Sequence, residues 1–184
     1  KQESVEQVWH SIKQLKVRGA PAIGVAAAYG LLIAIRKQTA MNLKEYLQEI
    51  EKKAAYLDSA RPTAVNLKWA LNRMLNSVKI FSGNDSKGLY KHLEEEAIHI
   101  HEEDVHLCLK MGVNGVSLIK EGMGVLTHCN AGALATTGIG TATSPMYLAH
   151  QNGVQFRVYA DETRPLLQGA RLTSWELNKA GLDV

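Results

Sequence analysis

Seven of the fifteen glycines fall between Gly112 and Gly140, where the chain changes its period. Before them, apolar residues recur every three or four positions. After them, short apolar runs alternate with turn residues. A chain with this break is neither one uniform bundle nor one continuous sheet. Its first part must bury helical stripes against one another, and its second must build strand–helix units.

The helical part is read as follows. Val5, Val8, Trp9, Ile12 and Leu15 share one face of a helix over residues 4–16, with Ser4 as N-cap. Arg18-Gly-Ala-Pro21 is a turn, and Pro21 suits the start of the next helix. That helix, Ala20–Ile35, is the longest uncharged apolar run, sixteen residues. A bilayer span needs about 20, so the run reads as a buried helix, and no membrane partner is expected. Asn42 and Glu45 resemble a capping box ahead of Leu43, Tyr46, Leu47, Ile50, Ala54 and Leu57. Arg61-Pro-Thr-Ala breaks the chain, and Leu67, Leu71, Met74 and Val78 mark another helix. A long helix from about Lys87 to Val113 places Leu89, Leu93, Ala97, Ile100, Leu107 and Met111 on one stripe. Asp104 continues this stripe on the core side and should need a partner there.

Past the break, Met123–His128 suits a buried strand. A Gly-, Ala- and Thr-rich loop leads to a short helix near Pro145–His150. Val154–Ala160 reads as a second strand, Thr173 as the cap of a helix to about Lys179, Gly181 as its C′ residue and Leu182 as the start of a third strand. The expected architecture is α/β: an all-helical N-terminal domain, 1–120, followed by a partial Rossmann-like parallel-sheet domain, 121–184. The chain opens without Met and its third strand breaks off at Val184. It is therefore expected to be a truncated piece, inactive and poorly stable by itself.

Composition narrows the function. Apolar residues make up 46% and charged residues 21%, which excludes a disordered chain. With only three Trp, six Tyr and two Phe, the core must be aliphatic. A net charge of +3 without a basic stripe argues against nucleic acid. Two cysteines make no disulfide framework and no secretory h-region opens the chain, so a reducing, cytoplasmic setting is the default.

Five constellations could carry chemistry. Thr127-His-Cys-Asn-Ala-Gly132 follows a strand, where open α/β sheets bind ligands. Cys129 there either presents a thiol to a substrate or is an inert residue in a tight turn. Arg18-Gly19-Ala20 precedes a helix N-terminus, which makes it either an anion site or a plain helix start. Arg61-Pro-Thr-Ala-Val-Asn66 repeats that logic. The polar run Asp161–Arg171, which includes Gln168, either serves a site or pairs internally. His99, Glu102, Glu103 and His106 have metal-ligand spacing but read as a solvated helix face. The glycine spacing fits no dinucleotide fingerprint.

Four segments together resemble one family: Arg18-Gly-Ala-Pro-Ala-Ile-Gly24, Arg61-Pro-Thr-Ala-Val-Asn66, Thr127-His-Cys-Asn-Ala-Gly132 and Glu162-Thr-Arg-Pro-Leu-Leu-Gln-Gly-Ala-Arg-Leu-Thr173. They look like the methylthioribose-1-phosphate isomerases of methionine salvage. That superfamily also holds ribose-1,5-bisphosphate isomerases and regulatory subunits of translation initiation factor 2B. The resemblance implies aldose-to-ketose conversion of 5-methylthioribose 1-phosphate, a homodimer, and no metal or nucleotide cofactor. It implies substrate- and phosphate-binding roles for Arg18, Gly19, Ala20 and Arg61, a substrate contact for Gln168 and the reactive thiol for Cys129. It also implies a catalytic Asp and an Asn-Lys substrate pair on segments past Val184. The alternatives within the superfamily are a ribose-1,5-bisphosphate isomerase and a non-catalytic regulatory subunit.

Overall fold

The computed structural model describes all 184 residues. They form two compact units, Lys1–Glu102 and Glu103–Val184. The composition change near residue 120 falls within the second unit.

The first unit is helical: α1 (Val5–Lys13), α2 (Ala20–Ile35), α3 (Leu43–Asp58), α4 (Val65–Ile80) and the first half of α5 (Ser86–Gly115). Local signals set the helix starts. Ser4 caps α1 by accepting the Gln7 N–H, and Asn42 caps α3 by accepting the Glu45 N–H. Gly19, at φ 89°, turns the chain into α2, with Pro21 in its first turn. With the short turn that follows it, α2 reaches 19 residues and is long and apolar enough to cross a membrane. Its apolar side chains are instead the centre of this unit's core. Ile23, Leu31 and Ile35 pack there with Val8 and Ile12 of α1, Ile50 and Leu57 of α3, and Leu67 and Met74 of α4. Each large aliphatic chain so buried contributes about 1.5–3 kcal/mol.

The second unit begins with the end of α5, then β1 (Gly124–Thr127), α6 (Ser144–Gln151), β2 (Arg157–Ala160) and α7 (Ser174–Lys179). β1 and β2 are parallel, with Gly124 opposite Arg157 and Thr127 opposite Ala160. Asp183 forms a parallel bridge to Arg157, and the Val158 N–H donates to its carbonyl at 2.7 Å. The segment after α7 thus lies along β2, where the sequence places a third strand. Met146, Val158, Leu177 and Leu182 form the core of this unit.

Three expectations need correction. The apolar run 123–128 is not buried on both sides. Strand alternation turns Thr127 inward and leaves Leu126 67% exposed. On α5, Leu107 and Met111 are exposed, whereas Cys108 and Gly112 are buried. The inward positions step by four residues, from buried Ile100 through half-buried Asp104 to buried Cys108 and Gly112. Each such step turns the buried face by about 40°, away from the continuation through 107 and 111. Thr173 does not cap α7 with its side chain. The helix is preceded by a π-helical turn, Gly169–Thr173, and the Thr173 hydroxyl bonds elsewhere. Gly181 does carry the left-handed φ, 88°, expected just past a helix end.

Candidate functional site

Cys129 lies two residues past the end of β1, with φ 60°. A non-glycine residue in the left-handed region costs of order 1–3 kcal/mol and persists only where its surroundings enforce it. Two threonines do so here. The Cys129 N–H donates to Thr163 Oγ1 at 3.0 Å, and Thr173 Oγ1 donates to the Cys129 carbonyl at 2.6 Å. Thr163 lies in the loop after β2, and Thr173 ends the π-helical turn. The thiol's backbone is therefore clamped on both sides by segments 34 and 44 residues away. Cys129 is partly exposed and Cys108 is buried. Burial pushes the Cys108 thiol up from its ordinary value, so Cys108 is the inert one.

The clamp depends on close backbone approach. A Cβ on Gly169 would overlap the Asp161 carbonyl oxygen and lie 3.1 Å from Thr163 Oγ1. Only glycine lets the π-helical turn reach the end of β2. There the Asp161 N–H donates to the Thr127 carbonyl at 3.0 Å, extending the ladder. Asp161 Oδ2 also meets His128 Nδ1 at 2.8 Å.

The loop after Cys129 rests on Glu176 of α7. This residue is 6% exposed, and its Oε2 accepts the Leu134 N–H at 3.1 Å. A Cβ on Gly132 would overlap Oε1 and lie 2.8 Å from Oε2. Burial holds the Glu176 carboxyl above the usual carboxylate range, and the Leu134 amide offsets this only in part. The same desolvation, with Glu176 nearby, pushes the Tyr147 hydroxyl up to about 12. Further along, Gly138 and Gly140 both donate their N–H groups to Thr136 Oγ1 at 3.2 Å. Asp104 finds the partner it requires in the Thr137 N–H, at 2.7 Å, and the Thr137 hydroxyl.

Gln168 stands immediately before the π-helical turn, with its Oε1 buried and without a hydrogen-bond partner in the protein. Of the polar run after β2, Glu162 pairs with Arg164 at 2.7 Å, so part of it pairs internally. In the helical unit, Gly24 of α2 abuts the Asn66 carbonyl in the first turn of α4. The Arg18-Gly19-Ala20 and Arg61 turns thus lead into two helix starts packed side by side. The Arg18 and Arg61 side chains are partly buried. No three His, Cys, Asp or Glu side chains converge as a metal-ligand set. Within the second unit the structure brings Cys129 and the Gln168 segment together, through Thr173 and Gly169. Sequence reasoning missed Thr163 and Glu176. The signal for Glu176 was a carboxylate set between Trp175 and Leu177 in a short helix.

A helical unit followed along the chain by a parallel-sheet unit, with a strained, clamped thiol past its first strand, is an α/β arrangement of the initiation-factor-2B type. The chain belongs to the Initiation factor 2 subunit family, whose profile matches residues 16–184. A 5-deoxyribose 1-phosphate isomerase from Clostridium botulinum is 54% identical over 182 residues, 99% of this chain and 52% of that protein. The structure of 5-methylthioribose 1-phosphate isomerase from Pyrococcus horikoshii superposes with a TM-score of 0.92 at 44% identity, over 98% of this chain and 51% of that one. A structure described as translation initiation factor eIF-2B, subunit delta, from A. fulgidus matches with a TM-score of 0.89 at 43% identity, over 100% and 54%. The chain spans about half the length of these relatives.

Proposed function

We propose that the protein is an aldose–ketose isomerase acting on ribose 1-phosphates that carry no free 5-hydroxyl, namely the 5-deoxy and 5-methylthio sugars. The observation that carries this reading is the clamped Cys129. A protein without chemistry to perform has no need of a partly exposed thiol on a left-handed backbone held by two threonines. The names of two relatives, a 5-deoxyribose and a 5-methylthioribose 1-phosphate isomerase, supply the substrate class.

The chemistry explains the parts. Phosphate on the anomeric oxygen prevents spontaneous ring opening, so a general acid must protonate the ring oxygen; the C1–ring-oxygen bond then breaks, its pair going to that oxygen and leaving C1 electron-poor. One hydrogen then moves from C2 to C1. In the proton route, the Cys129 thiolate takes the C2 proton, the freed electron pair forms C1=C2, and the thiol returns the proton to C1. The C2 hydroxyl loses its proton and becomes the ketone, which balances the proton gained by the ring oxygen. In a hydride route, the hydrogen moves with its electron pair and the Cys129 region stabilises charge. The Arg18-Gly19-Ala20 turn and Arg61 are proposed for the substrate and its phosphate, and Gln168 for a sugar hydroxyl.

The full-length gene product assayed with 5-deoxyribose 1-phosphate and 5-methylthioribose 1-phosphate should turn over at least one. Cys129→Ser should lower kcat by ~100-fold or more. Deuterium uptake at C1 from heavy water would exclude a pure hydride shift. The A. fulgidus relative favours a second reading, a non-catalytic regulatory subunit. No turnover of either sugar, with Cys129→Ser indistinguishable from wild type in ligand binding, would establish it instead.

A further inference from the structure

Asn130 follows the clamped thiol directly, and only one end of its amide is engaged. Oδ1 accepts the Gly132 N–H at 3.3 Å, an Asx-type turn that fixes the amide plane. The Gly132 donor also fixes which end is oxygen. Nδ2 is therefore directed away, and it is buried without a hydrogen-bond partner in the protein. This nitrogen carries two donors, and buried donors are nearly always paired. Two more buried polar atoms on the same unit lack partners: Thr127 Oγ1 at the end of β1, and Gln168 Oε1. The Gln168 segment is tied back to the strand ends by Gly169 against Asp161 and by Thr173 on the Cys129 carbonyl. Thr127 is turned inward, but a donor amide and an acceptor amide past the carboxyl ends of parallel strands are complementary to a polyol, whose hydroxyls both give and take hydrogen bonds.

We infer that Asn130 is a further catalytic residue, whose Nδ2 donates to the C2 oxygen of the sugar. This rests on the isomerase reading but on neither route within it. Whether hydrogen moves as a proton or a hydride, the C2 oxygen begins as a hydroxyl and ends as a carbonyl. It loses its own proton and gains acceptor strength as the reaction advances. A fixed N–H aimed at it binds the later species more tightly than the substrate, and that difference is what accelerates a reaction.

The test uses the full-length gene product and two variants. Asn130→Asp keeps an acceptor for the Gly132 N–H and replaces the donor with an acceptor. Asn130→Ser keeps a shorter turn-forming oxygen and removes the amide. The readouts are kcat and KM with 5-deoxyribose 1-phosphate, calorimetric affinity for the ketose product 5-deoxyribulose 1-phosphate, and the melting temperature. The expected result is kcat lowered ~100-fold or more in Asn130→Asp, KM changed much less, and product affinity weakened about tenfold. Melting should stay near wild type. If Asn130→Asp does not fold, Asn130→Ser carries the same expectation. Either folded variant with kcat and product affinity within about threefold of wild type overturns the inference; such a result means that water satisfies Nδ2. A wild type that binds the ketose phosphate without turnover defeats the isomerase reading and the catalytic role with it, and the affinity comparison then decides only whether Asn130 Nδ2 binds the sugar. A wild type that binds neither sugar overturns both.

Discussion

Replacing Gly169 with alanine should destabilise the protein, although helix propensity predicts the reverse. In a helical turn, glycine to alanine gains about 1 kcal/mol. At Gly169 the added Cβ would overlap the Asp161 carbonyl oxygen and sit 2.9 Å from the Asp161 carbonyl carbon. The obstructing atoms are backbone, so no side chain can swing aside. Asp161 is also not free to retreat, because its N–H is bonded to the Thr127 carbonyl and its carbonyl accepts from Thr163 Oγ1 at 3.3 Å. Overpacking of this kind costs about 1–3 kcal/mol. Losing one or two of the attached hydrogen bonds adds about 1 kcal/mol each. After subtracting the propensity gain, the net cost is roughly 1–4 kcal/mol, or a fall of roughly 3–15 °C in Tm for a chain of this size. Thr163 also holds the Cys129 N–H, so the same change should loosen the thiol. Urea denaturation and iodoacetamide labelling of Cys129, on Gly169→Ala and wild type, read both effects. A variant as stable as wild type or more so, with unchanged labelling, would refute the contact argument and leave propensity in charge.

Other outcomes follow from the same geometry. Thr173→Val keeps the shape but leaves the Cys129 carbonyl without its donor. It should cost about 1–3 kcal/mol and lower kcat of the proposed isomerisation more than KM; an unchanged kcat would show that the left-handed turn holds without it. Native protein should label with iodoacetamide at Cys129 and not at Cys108, as peptide mapping would reveal; equal labelling would contradict the burial of Cys108. The raised carboxyl of Glu176 makes stability depend on pH. A folded value above the unfolded one contributes stability that is complete below the unfolded value and is lost as pH rises through the folded value. Wild type should therefore lose Tm relative to Glu176→Gln across that window, and parallel Tm–pH curves for the two proteins would show that Glu176 is not neutralised by burial.

Helices α1 to α5 were legible in the residues, because their signals are local. A cap such as Asn42, a breaker such as Pro62 or a stripe through Leu89, Leu93, Ala97 and Ile100 acts over one or two turns. Both strands were legible for the same reason, as was the candidate thiol, through the motif around Cys129. The exposed Leu107 and Met111 show where period alone fails: it fixes a stripe but not how the stripe rotates when packing partners change along a 30-residue helix. What holds Cys129 emerges only on folding. Thr163 and Thr173 reach it from far along the chain, so no spacing announced the left-handed φ or its two clamps. Likewise, nothing near Gly132 or Gly169 in sequence showed that Glu176 and the Asp161 carbonyl occupy the space a Cβ would take. Which segments became helix and strand, and which residue types could do chemistry, was set locally along the chain, because those depend on near neighbours. The clamped backbone and the buried carboxyl depend on residues brought together across 34 to 44 positions, and folding alone creates them.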